Sequence, residues 1–118
     1  GFFVLTKTKG AKMKTHVIHE NGVIATIEEK ITELKEMQKL VGGGSIEIVN
    51  APITAQPSEL PDAENCMEMV VNEEGLLRPD FGANPVARKI IAESFGCPVD
   101  EIQIIKGPVF VTDGWRID

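Results

Sequence analysis

The sequence predicts a single α+β domain in the order β-β-α-β-β-α-β-β, a mainly antiparallel sheet with two helices packed on one face. Three observations carry that expectation. A chain of 118 residues is the size of one ordinary domain. Asn21-Gly22 stands between two β-prone runs, the strongest short-range hairpin signal, because both residues tolerate positive φ. Two later segments place apolar residues three and four apart, and each stops at glycine.

The elements follow in order. Residues 1–12 differ in composition from the rest and read as a leader or added extension, or alternatively as a strand from Phe2 to Thr6; the domain proper then runs from Met13 to Asp118. Thr15 to Ile27 forms the hairpin, turning at Asn21-Gly22. A helix is expected from Glu29 to Leu40, with Ile31, Leu34, Met37 or Gln38, and Val41 on one face and Gly42-Gly43-Gly44 ending it. Ser45 to Asn50 is a short strand with Ile46 and Ile48 on one face and Glu47 on the other. Residues 51–64 hold Pro52, Pro57 and Pro61 and read as a long loop. Cys66 to Asn72 is the next strand, and Glu73-Glu74-Gly75 is a turn. Asn84 caps the second helix, with Pro85 at its first position. Val86, Ile90, Ile91 and Phe95 form its stripe, Gly96 closes it, and Pro98 prevents continuation. Glu101 to Ile105 and Val109 to Thr112 are the last strands. Between them, Pro108 marks an edge or bulge. The tail from Asp113 to Asp118 reads as loose, or alternatively as anchored by Trp115.

Charge narrows the function classes. The chain carries 12 Lys and Arg against 18 Asp and Glu, a net −6. Residues 1–12 hold Lys7, Lys9 and Lys12 and no acid, so taking those three cations from a net −6 leaves −9 for the remainder. Such a body repels phosphate backbones, which argues against direct nucleic-acid binding. A basic partner stays open, as does mimicry of nucleic-acid charge. Five Phe, one Trp and no Tyr are too few for a base-stacking platform. No stretch approaches the ~20 apolar residues of a membrane-spanning helix. Cys66 and Cys97 are too few for a disulfide framework and read as reduced thiols. The expected location is the cytoplasm, and no cofactor is implied.

Candidate sites are sparse. Gly42-Gly43-Gly44 follows a helix C-terminus, whose dipole repels anions, so it reads as a cap rather than a phosphate loop. His16 and His19 lie three apart on a strand, point to opposite faces, and do not share a metal. Glu47 and Glu68 are expected on the polar face of the sheet; paired in register, they would attract a cation or raise a pKa. Arg78, Asn84 and Arg88 gather donors around the second helix N-terminus, the one place suited to an anion.

The run Leu34-Lys35-Glu36-Met37-Gln38-Lys39-Leu40-Val41-Gly42-Gly43, followed by Ile46-Glu47, resembles the signature of a small family, domain of unknown function 3846. Val71-Asn72-Glu73-Glu74-Gly75, with Leu77 and then Asn84, is similar to its second signature. Ile105-Lys106-Gly107-Pro108-Val109-Phe110-Val111 is similar to its closing strand. The resemblance runs in order from about Met13 to Thr112. It departs where Gly44-Ser45 replaces the one bulky residue, often Tyr, between the glycine pair and Ile-Glu, and in the longer loop at 51–64. The resemblance implies a setting, the phages, plasmids and conjugative elements of gut bacteria, and names no activity.

Three functional readings follow. The first is a non-enzymatic accessory or regulatory protein of a mobile genetic element that binds a protein or a small molecule. The second is a nucleotide-binding protein or small nucleotide-handling enzyme using Arg78, Asn84 and Arg88. The third is an acidic nucleic-acid mimic.

Overall fold

A computed structural model describes residues 13–49, 58–60, 63 and 66–117. The expectations for residues 1–12, and most of those for the 51–64 loop, fall outside these. The strands are β1 (Lys14–Ile18), β2 (Ile24–Ile27), β3 (Ile46–Val49), β4 (Cys66–Asn72) and β5 (Val109–Asp113). The helices are α1 (Leu34–Leu40) and α2 (Pro85–Phe95), with short 3-10 turns at Gly75–Leu77 and Val99–Glu101. All strand pairs are antiparallel, and the sheet order is β2-β1-β5-β4-β3. The molecule is the single α+β domain that the sequence predicts.

The sheet is covered on both faces, which corrects the expectation that both helices share one. Ile18, Met69, Val109 and Val111 pack with Ala87, Ile90 and Ile91 of α2. Their chain neighbours Val17, Val70 and Phe110 pack instead with Met37 and Val41 at α1 and with Trp115. Successive strand residues point to opposite faces, so the two helices lie on opposite sides of the sheet. All five residues of β5 are buried. Such a strand reads as a continuous apolar run rather than an alternation, and Val109-Phe110-Val111 is one. Full burial of a side chain such as Phe110 or Ile18 stabilises the fold by roughly 1.5–3 kcal/mol.

The hairpin forms, but its turn is longer than expected. Gly22 N–H donates to His19 C=O at 2.9 Å, which centres the turn on Glu20-Asn21. Gly22 supplies a positive φ of 89°, and Asn21 accepts a hydrogen bond from Val23 N–H through its side chain.

The helices differ from expectation in unequal measure. Helix α2 begins and ends where its caps predict: Asn84 Oδ1 accepts from Ala87 N–H, and Gly96 closes it in the left-handed conformation. Helix α1 starts five residues late, and Leu34 faces outward. Thr15 Oγ1 donates to Glu29 C=O, and Ile31 is buried in the core, so tertiary contacts hold this approach outside the helix. The far end of α1 behaves as predicted, with Gly42 N–H bonded to Lys39 C=O and Gly43 N–H to Gln38 C=O.

Glu101–Ile105 does not form a strand. Asn84 N–H donates to Ile105 C=O and Gly107 N–H to Gly82 C=O, with a single bridge between Ala83 and Lys106. Pro108 precedes β5 and marks neither an edge nor a bulge, because β5 lies between β1 and β4. The bulge of the sheet falls in β4, between Cys66 and Met69. Trp115 anchors the tail: it is buried, and its Nε1–H donates to Lys14 C=O at 2.8 Å.

Candidate functional site: a groove beside an open strand edge

At the β3 end of the sheet, β3, β4, the C-terminal part of α2 and residues 101–106 enclose a groove of about 560 Å³. Val49, Val71 and Ile91 contribute its apolar wall, which continues the α2-side core. Phe95 and Ile104 also line it and stay 51% and 52% exposed, so the groove opens to solvent along an apolar lip. Glu47, Glu73, Glu101 and Lys106 contribute its charge. The failure of 101–105 to pair as a strand leaves Ile104 free to shape this lip.

The backbone of β3 gives the groove a second property. Glu73 N–H donates to Ser45 C=O at 2.9 Å, and Glu47 stands opposite Val71. Antiparallel alternation then makes Glu47 and Val49 the residues that exchange hydrogen bonds with β4. The N–H and C=O of Ile46 and Ile48 face the other way, off the end of the sheet. Among the described residues these groups have no hydrogen-bond partner.

The residues singled out from sequence are not brought together. Asn84 is buried and saturated: its Nδ2 donates to Ile18 C=O and Gly107 C=O while its Oδ1 caps α2. Arg78 donates to the carbonyls of Gly42 and Gly43 behind α1, pairs with Asp80, and stacks on Phe81 with its guanidinium carbon 4.3 Å from the ring centre. The Arg78 hydrogen bond holds the Asp80 carboxyl below its ordinary range. Arg88 donates to Ile102 C=O at 2.8 Å. The three donors bind three separate parts of the backbone, so no anion cradle forms around the start of α2.

Glu47 and Glu68 are also apart, because neither face of this sheet is a polar one. Glu47 lines the groove on the α2 side. Glu68 instead accepts from Ile117 N–H at 2.8 Å, holding the C-terminal tail. Glu73-Glu74-Gly75 is the turn expected of it, tied by Glu74 N–H to Asn72 Oδ1. Asn72 also donates to Val41 C=O, joining this turn to the end of α1.

One polar row had no sequence signal strong enough to find it. His16 is buried, with Nδ1 2.9 Å from Thr26 Oγ1 and Nε2 2.9 Å from Asp113 Oδ2. Hydroxyl, imidazole and carboxylate stand in the order of a hydrolytic triad. Here they cross β2, β1 and β5 as a row that satisfies a histidine on a core face. His16 shares that face with Ile18, which is readable from alternation, but its partner Asp113 lies 97 residues away.

No protein-family model, curated protein or solved structure matches the chain. No helix among the described residues is long and apolar enough to cross a membrane.

Proposed function

We propose that this protein is a non-enzymatic binding module, an accessory or regulatory protein that works by holding another molecule in the groove beside β3. The observation that carries this reading is the backbone of Ile46 and Ile48, without a partner among the described residues, next to an apolar lip at Phe95 and Ile104. Monomeric domains blunt such edges or use them. The placement in a mobile genetic element rests on the family resemblance alone. The nucleotide reading loses its motivation, because Arg78, Asn84 and Arg88 already serve backbone carbonyls.

A thermal-shift screen of nucleotides, short peptides and small apolar compounds tests the reading. Compounds that raise Tm are expected to do so in the parent protein and not in Phe95→Asp. A nucleotide that stabilises both equally, and fails only with Arg88→Ala, would instead restore the nucleotide reading.

A further inference from the structure

We infer that the occupant of the groove is an extended segment of a partner protein, with lysine or arginine at alternate positions, added to β3 as a further strand. This rests on the binding-module reading and specifies its partner. Four features of the site select that chemistry.

The first is the backbone. Among the described residues the N–H and C=O of Ile46 and Ile48 have no partner along the edge of the sheet, the pattern that another strand completes. The second is the alternation of side chains. On an added strand, every second residue would lie on the Glu47 and Val49 side, over the groove. The third is charge. Glu47, Glu73 and Glu101 line the groove against one cation, Lys106, whose Nζ already donates to Arg78 C=O at 3.4 Å. A cation directly across from Glu47 is a favourable cross-strand pair, and an anion there is not. The fourth is shape. Long basic side chains lay their methylenes on apolar surface while the charged head reaches outward. Phe95 and Ile104 offer that surface, with Glu101 in the same lining.

The same features disfavour the other occupants. A second copy adding its own β3 would bring another Glu47 into an acidic groove and another net charge of −6. A nucleic-acid strand would meet the same carboxylates.

The test uses the full chain and two synthetic heptapeptides, Lys-Val-Lys-Ile-Lys-Val-Lys and Glu-Val-Glu-Ile-Glu-Val-Glu, at low ionic strength. Amide hydrogen exchange at Ile46 and Ile48 reports strand addition, and a titration reports Kd. The basic peptide is expected to slow exchange at both amides and to bind at least about tenfold more tightly than the acidic one. Methylating its alternate backbone nitrogens should abolish the protection. The double variant Glu47→Lys, Glu101→Lys, both exposed positions, should reverse the preference.

Equal affinity for the two peptides overturns the inference, as does binding that leaves Ile46 and Ile48 unprotected. Protection that rises with protein concentration and no peptide overturns it in favour of a second copy. If neither peptide binds but apolar compounds still do, and lose their effect in Phe95→Asp, the strand partner is wrong and the binding module stands. If nothing binds, both fall.

Discussion

Two regions of the molecule treat their polar groups in opposite ways. Asn84 and Arg78 spend their donors inside the fold, on backbone carbonyls and on Asp80. Asn84 ties β1, the start of α2 and the Gly107 turn into one node. Arg78 closes the carbonyls that α1 leaves behind. At β3, by contrast, a strand edge and an apolar lip have no use inside the described fold. The lesson is that donor-rich residues near a helix start are no guide to a ligand site. A ligand needs unspent groups, and among the described residues Ile46 and Ile48 carry such groups beside the groove.

Substitutions separate the two regions. The largest loss is expected from Asn84→Ala, which removes a helix cap and strands two buried carbonyls. Unfolding in denaturant should show a loss of about 3 kcal/mol. Gly107→Ala comes next. A Cβ there would stand 2.5 Å from the Phe81 ring at a φ of +88°, so strain and clash combine. The expected loss is about 2 kcal/mol in the same measurement. A loss as small as that of an ordinary surface substitution would show that the Phe81 stack yields easily.

The groove is expected to behave the other way. Ile104→Ser should change stability by no more than about 1 kcal/mol, since the side chain is already half exposed. It should nevertheless weaken binding of the basic heptapeptide. A loss of stability as large as that of Asn84→Ala would make the lip a structural element and not a docking surface.

The smallest effect is expected at Asp80. The Arg78 hydrogen bond depresses its folded-state pKa, so its contribution is present above the ordinary carboxylate range and fades as pH falls through the folded value. The pair is a surface one, and screening leaves it weak. The Tm difference between the parent and Asp80→Asn should be small at neutral pH and vanish in acid. A large difference at neutral pH would mean that Arg78 depends on Asp80 to hold Gly42 and Gly43.

Legibility followed the range of the interactions. The bounds of α2 were readable because Asn84, Pro85 and Gly96 act on backbone within a turn of themselves. The start of α1 was not, because Thr15 and the core claim Glu29 and Ile31 from a distant strand. The burial of both sheet faces was visible in Val109-Phe110-Val111 and in Met69-Val70-Val71, read as continuous apolar runs. The expectation of a polar face for Glu47 and Glu68 overlooked that signal.

What the sequence determined by itself, then, was local: the α+β class, the hairpin, the Gly42 and Gly96 caps, the Asn84 start and an acidic body. The hairpin, the caps and the helix start depend on φ preferences or hydrogen bonds between residues a few positions apart, the class on local apolar periodicity, and the charge on composition alone. Only the tertiary structure decided which strand stands at the end of the sheet, which donors are spent, and where an apolar lip is left uncovered. Those depend on register and on contacts such as His16 with Asp113, between residues far apart in the chain. No local propensity encodes such pairings, because they exist only once the sheet has assembled.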